Sequence, residues 1–144
     1  MQSERFIENL FAVLPYWHYK IVKPFGALLK AQMGMEAYYC LQTLRQCGSM
    51  TMTELAGRLK ITKQQATKTV EKLYEKNFVS RIYGERDRRF IHIKITEEGR
   101  RYLEGIFRQD ENLVERLEEK IGKEDVKALG EAVETLLRVL PKVD

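Results

Sequence analysis

Two helix-start signatures lie eleven residues apart in this chain, at Thr51-Met52-Thr53-Glu54 and Thr62-Lys63-Gln64-Gln65, and the hydrophobic period changes soon after them. In each, a threonine hydroxyl stands three residues ahead of a long acceptor side chain. At that spacing the two can exchange hydrogen bonds with the orphan amides of a helix start. The first helix gathers Met52, Leu55, Ala56 and Leu59 on one face, and Lys60-Ile61 leaves only a short break before the second. There Ala66, Val70, Leu73 and Tyr74 form the apolar stripe, which turns Lys63, Gln64, Thr67, Lys68, Glu71 and Lys72 outward. From Phe78 onward Val79, Arg81 and Tyr83, then Ile91, Ile93 and Ile95, alternate as strand residues do, around the turn Gly84-Glu85-Arg86-Asp87-Arg88-Arg89.

Charge singles out the same stretch. Residues 51–96 hold 11 Lys and Arg against 5 Asp and Glu, a net of +6, whereas the other 98 residues hold 14 against 16, a net of −2. Three arginines crowded into one turn repel each other unless a polyanion lies close, and a DNA duplex is a line of phosphates. Two short helices, the second with a basic polar face, followed by a basic hairpin, predict a winged helix-turn-helix that reads DNA.

With those residues in view, the chain resembles the MarR family of bacterial transcriptional regulators over nearly its whole length. The most specific match is Asp87-Arg88-Arg89 followed by Ile95-Thr96, which is similar to the family's wing signature of Asp, any residue, Arg, then a short strand ending in Leu-Thr; Ile95 stands where Leu is usual. Glu54-Leu55-Ala56 and the run from Leu73 to Val79 support it, and Asn9 to Pro15 is similar to the start of the family's long first helix. The resemblance implies that Asp87 braces the wing, that Arg89 enters the minor groove, and that the terminal helices form a dimer.

Outside the wing, helix predominates. Residues 3–31 carry the stripe Phe6, Leu10, Val13, Leu14, Trp17, Ile21 and Leu28, with Pro15 and Pro24 each expected to bend or divide the helix. Met35 to Gln46 forms the next helix, with Ala37, Tyr38, Cys40, Leu41 and Leu44 inward and Gly48 as a left-handed cap. Thr96-Glu97-Glu98 starts a helix whose stripe runs unbroken from Leu103 to Ile121 and ends at Gly122. The last helix opens at Lys123, spaces Val126, Leu129, Val133, Leu136 and Leu140 three and four apart as a pairing seam, and stops at Pro141. The predicted architecture is mainly α with a small β wing, one domain over 1–144: dimerisation helices at 1–34 and 97–144 around a winged-helix lobe at 35–96.

These elements predict a homodimer on a pseudo-palindromic operator, with two copies of the second helix in successive major grooves about 34 Å apart. The DNA-contacting candidates are Thr62, Lys63, Gln64, Gln65, Thr67, Lys68 and Lys72 on that helix and Arg86, Asp87, Arg88 and Arg89 on the wing. Gln64, Gln65, Thr67 and Lys68 suit base edges, and Lys63 and Lys72 suit phosphates. Eight of the fourteen aromatics fall in the first 39 residues. Packing explains rings at helical spacing. The family resemblance adds a second use, since many members hold a small phenolic or aromatic ligand between the dimerisation helices and the DNA-binding lobe. On that reading Tyr16, Trp17, Tyr19, Tyr38 and Tyr39 supply walls and hydroxyls, Lys20 or Arg45 meets a carboxylate, and ligand binding releases a repressor from its operator.

Two other readings stay open. One replaces the ligand by oxidation of Cys40 or Cys47, because a branch of the family senses peroxides through a cysteine; that cysteine sits near the start of the first helix, where this chain has none. Cys40 and Cys47 are about 10.5 Å apart along one helix, too far for a bridge within the chain, and read as small core residues. The other is a winged helix whose basic face docks an acidic protein. Enzyme chemistry is not expected: His18 and His92 lack acid or cysteine neighbours at metal-ligand spacing, and no phosphate loop, serine elbow or nucleophile and base pair occurs. Neither cofactor nor metal is expected. Met-Gln-Ser-Glu-Arg is no leader and no 18-residue apolar run exists, so the expected location is the cytoplasm, without membrane contact.

Overall fold

A computed structural model of the protein describes residues 2–29, 33–84 and 89–143. The chain divides into two compact units, Met1–Leu103 and Glu104–Asp144.

In the first unit, α1 (Gln2–Trp17) passes through Pro15 without ending there. The irregularity lies between the two prolines: His18–Val22 form a π-helical turn, in which the Lys23 amide reaches back five residues to the His18 carbonyl, before α2 (Lys23–Leu29) resumes. Pro24 has no amide to offer the Lys20 carbonyl, so a widened turn just ahead of it is where a missing bond costs least. After α2 come α3 (Met35–Cys47), β1 (Met50–Thr51), α4 (Met52–Leu59), α5 (Lys63–Glu75), β2 (Val79–Tyr83) and β3 (Ile91–Ile95), with α6 (Glu97–Phe107) starting in this unit. Gly48 ends α3 at φ +81° and ψ −165°, a conformation glycine alone adopts cheaply.

The sheet is antiparallel in the order β1-β3-β2, with β2 and β3 paired in register from Val79↔Ile95 to Tyr83↔Ile91. Strand β1, unforeseen from sequence, pairs Met50 with Ile93 and Thr51 with His92. Leu41 and Leu44 of α3, Leu55 of α4, Ala66, Val70 and Leu73 of α5, and Val79, Ile93 and Ile95 of the sheet are buried together as the lobe's core. Tyr74, expected in the α5 stripe, lies outside that core: its ring is exposed and carries the Arg81 guanidinium 4.6 Å from its centroid.

The chain leaves the sheet through a tight junction. The Thr96 hydroxyl donates to the Asn77 carbonyl at 2.6 Å and accepts the Gly99 amide at 3.0 Å, so it caps α6 while tying it to the end of α5. Gly99 lies flat against the Phe78 carbonyl, where a side chain would have no room.

In the second unit the single helix expected from 97 to 121 is broken. Helix α6 ends at Phe107 and α7 (Leu113–Ile121) begins after five residues that leave the α-helix. Asp110 and Asn112 there are residues whose short polar side chains favour turns over helix interior, and Arg116 grips the Asp110 carboxylate with both guanidinium nitrogens, one at 2.6 Å. Helix α8 (Lys123–Val139) packs on α7, and Leu140–Lys142, with Pro141, finish as a 3₁₀ turn. No residue of α7 or α8 is buried within this chain.

Candidate nucleic-acid interface

Helix α5 is held at both ends by its own sequence. At the start, the Thr62 hydroxyl accepts the Gln65 amide and the Gln65 side-chain oxygen accepts the Thr62 amide, each at 3.0 Å, so the expected reciprocal cap is complete. The turn before it is equally tight. Lys60 takes a left-handed conformation (φ 55°) and the Ile61 amide returns to the Ala56 carbonyl at 3.1 Å, closing α4. At the far end Asn77 (φ 62°) does the same, with the Phe78 amide donating to the Leu73 carbonyl at 3.0 Å. Neither stop carries the glycine that announces such a turn in sequence.

With Ala66, Thr69, Val70 and Leu73 buried, the opposite side of α5 presents Lys63, Gln64, Gln65, Lys68 and Lys72 to solvent. Thr62 is exposed and occupied as the cap. Thr67 is half-buried and its hydroxyl donates to the Lys63 carbonyl at 2.8 Å, so as a base contact it has an acceptor lone pair to offer. Gln65 is likewise partly committed, because its oxygen serves the cap and its amide nitrogen is what remains for a partner.

In the wing, the Gly84 amide donates to the Phe90 carbonyl at 3.0 Å and closes the neck of the hairpin beside Arg89. Arg86, Asp87 and Arg88 lie outside the described residues. Arg89, with Lys63 and Arg81, lines an open groove of about 410 Å³ where the wing meets the starts of α4 and α5. Arg81 was not among the candidates from sequence, where it counted only as a strand residue.

The proposed ligand residues fall into two sets. Tyr38 meets Phe25 edge to face at 4.6 Å and Tyr39 at 6.1 Å, and burial raises its phenol above the ordinary range against the lowering influence of nearby Arg45. Tyr19 meets His18 at 4.9 Å with the Lys23 ammonium over its ring; Tyr16, Tyr19 and Lys20 are exposed, and Trp17 is markedly less so than the two tyrosines.

The two thiols differ, which corrects their common placement in the core. Cys40 is buried and its thiol is pushed up to about 11, chiefly by burial and then by Glu36. Cys47 is exposed, and Arg58 donates to its sulfur at 3.3 Å. An aromatic disulfide reagent at neutral pH is expected to modify one thiol per native chain, Cys47, and both after denaturation; rapid modification of Cys40 in the native protein would contradict its placement. Among the described residues no cluster of His, Cys, Asp or Glu could hold a metal, and no helix is long and apolar enough to cross a membrane.

A short helix capped at both ends, exposing a basic polar face beside a three-stranded sheet with a hairpin wing, defines a winged helix-turn-helix nucleic-acid-binding protein. The MarR family model matches residues 34–91. The uncharacterized HTH-type transcriptional regulator YfiV of Bacillus subtilis is 24% identical over 112 residues, covering 78% of this chain and 70% of that protein. A MarR family protein from Bacillus stearothermophilus superposes with a TM-score of 0.74 at 19% identity, over 95% of this chain and 96% of that one. FabT of Streptococcus pneumoniae, solved in complex with DNA, does so with a TM-score of 0.62 at 19% identity, over 99% of each chain. The chain is thus similar to MarR-type DNA-binding transcriptional regulators, in sequence over its winged-helix segment and in fold over nearly its whole length.

Proposed function

We propose that the protein is a cytoplasmic homodimeric repressor that binds a pseudo-palindromic operator and is released from it by a small aromatic or phenolic effector. The observation that carries the DNA-reading part is the uncovered basic side of α5 on a helix whose other side is locked into the core. Gln64, Gln65, Thr67 and Lys68 read base edges, Lys63 and Lys72 hold phosphates, and Arg86, Arg88 and Arg89 enter the flanking minor groove with Asp87 as their brace. Selection of bound duplexes from random sequence tests this. A two-fold symmetric motif with half-sites one helical turn apart is expected, and an asymmetric motif or none would overturn it.

The dimer reading has its own support. Helix α1 leaves Phe6, Leu10, Phe11 and Leu14 about half exposed or more, and α8 leaves Leu129, Leu136 and Leu137 between 39% and 58% exposed. Covering the half of each such side chain that remains exposed is worth about 1 kcal/mol, which a second copy can supply. This reading keeps residues 1–34 and 97–144 for dimerisation and 35–96 for DNA. Light scattering at micromolar concentration is expected to give a dimer for the wild type and a monomer for the double variant Leu136→Glu, Leu137→Glu. A wild-type monomer would end the proposal.

For the effector, the support is the Phe25, Tyr38 and Tyr39 ring cluster with Arg45 near Tyr38. Tyr16, Trp17, Tyr19 and Lys20 complete the proposed site. The effector acts by favouring a state that binds DNA less well. Calorimetric titration with benzoate and phenol checks it: heat of binding together with weakened DNA affinity supports the reading, and neither effect refutes it for those ligands.

A further inference from the structure

We propose that the groove at the wing's base seats a backbone phosphate of the bound duplex, with Arg81 and Lys63 supplying the charge and the Tyr74 ring holding Arg81 in position. This rests on the DNA-reading role and adds to it two residues that were not candidates from sequence, Arg81 of β2 and Tyr74 of the last turn of α5.

Among the described residues, Lys63, Arg81 and Arg89 are the ionisable ones on the groove's lining and no carboxylate shares it. Thr51, Thr53 and Thr67 are on the same lining with Ile91 and Ile93; the Thr67 hydroxyl proton is held by the Lys63 carbonyl, which leaves Thr51 and Thr53 as the hydroxyl donors. A phosphodiester needs that combination: cations and hydroxyls for its oxygens, apolar surface for the C–H faces of the flanking sugars. At about 410 Å³ and open to solvent, the groove has room for more than one phosphate group, which suits a continuous strand better than a captured small ion. It also shares Lys63 and Thr67 with α5, so a strand leaving the reading helix passes directly over it.

Arg81 is set up for this task before DNA arrives. Its guanidinium lies over the Tyr74 ring at 4.6 Å, a contact that keeps the charge while removing much of the side chain's freedom. It explains why an aromatic at the position that the helical stripe assigned to the core is exposed instead.

The test uses the full-length protein with two probes: a duplex recovered by selection and an unrelated duplex of equal length. Arg81→Gln is expected to weaken both by a similar factor, about tenfold, since a phosphate contact carries no sequence information. The dependence of log affinity on log salt is expected to flatten by about 1.8, one phosphate's worth from each protomer of the dimer. Tyr74→Leu keeps the charge, so a smaller loss of about threefold with an unchanged salt slope is expected, and none when added to Arg81→Gln. Gln64→Ala serves as the comparison, losing affinity for the selected duplex alone. If Arg81→Gln leaves affinity and slope unchanged while Gln64→Ala retains its effect, the groove is empty in the complex and the proposal falls while the DNA reading stands. A loss confined to the selected duplex would assign Arg81 to a base and equally overturn it. Tight binding of inorganic phosphate or benzoate, abolished by Arg81→Gln without change in duplex affinity, would make the groove a small-anion site instead. A wild-type protein that binds neither duplex would refute both readings.

Discussion

Arg89→Ala is expected to weaken binding to the selected duplex by at least tenfold, to reduce its salt dependence, and to leave the dimer intact. The residue stands one position before Phe90, whose carbonyl accepts the Gly84 amide, so it projects from beside the hydrogen-bonded neck of the hairpin. An arginine delivered from that neck into a narrow minor groove meets concentrated negative potential, and alanine loses both that attraction and its hydrogen bonds. The loss should be steepest for duplexes with A·T-rich flanks, where the groove is narrowest. Arg81→Gln should be indifferent to the flanks, which separates the two roles. Unchanged affinity for Arg89→Ala, with the thermal transition also unchanged, would remove the wing from the DNA-binding surface.

Gly99→Ala carries the largest expected cost in stability. A methyl group there would stand 2.8 Å from Ile95 Cγ1 and closer still to the Phe78 carbonyl oxygen, which already accepts the Thr96 amide at 2.9 Å. Nothing at that spot is the free end of a flexible chain, so relief requires α6 to lift from the sheet. A destabilisation of about 3 kcal/mol is expected, roughly 10 °C in Tm. The control is Gly57→Ala in α4, where an added carbon meets nothing within 4 Å and the variant should be neutral or slightly more stable. Denaturant titration of both decides it, and a change below about 1 kcal/mol for Gly99→Ala would mean that the junction is softer than its hydrogen bonds suggest.

How much was legible in the sequence depended on distance along the chain. The Thr62 and Gln65 cap could be read because both partners lie within one turn, and so could the α5 face and the β2 and β3 strands, which carry their period in their own residues. Strand β1 has two residues and therefore no period, so only its pairing with Ile93 and His92 reveals it. The break before α7 escaped notice because apolar residues keep helical spacing on either side of it, while the Asp110 and Arg116 pair that occupies it is a contact across six positions. Tyr74 was misplaced for a similar reason: the stripe is a property of one helix, and Arg81, which claims its ring, arrives from a strand. Cys47 shares α3 with Cys40 but sits at its last position, where the helix has run out of core.

One side chain serves two masters. Gln65 locks the start of α5 through its oxygen while standing on the exposed basic face proposed to read DNA. Glutamate would make the same cap and would favour the positive end of the helix besides, so screening for heat resistance alone should drift toward Gln65→Glu. That drift would set a carboxylate against the phosphates. A more robust fold and a weaker regulator would then come from the same change, and the neutral amide is the compromise between them.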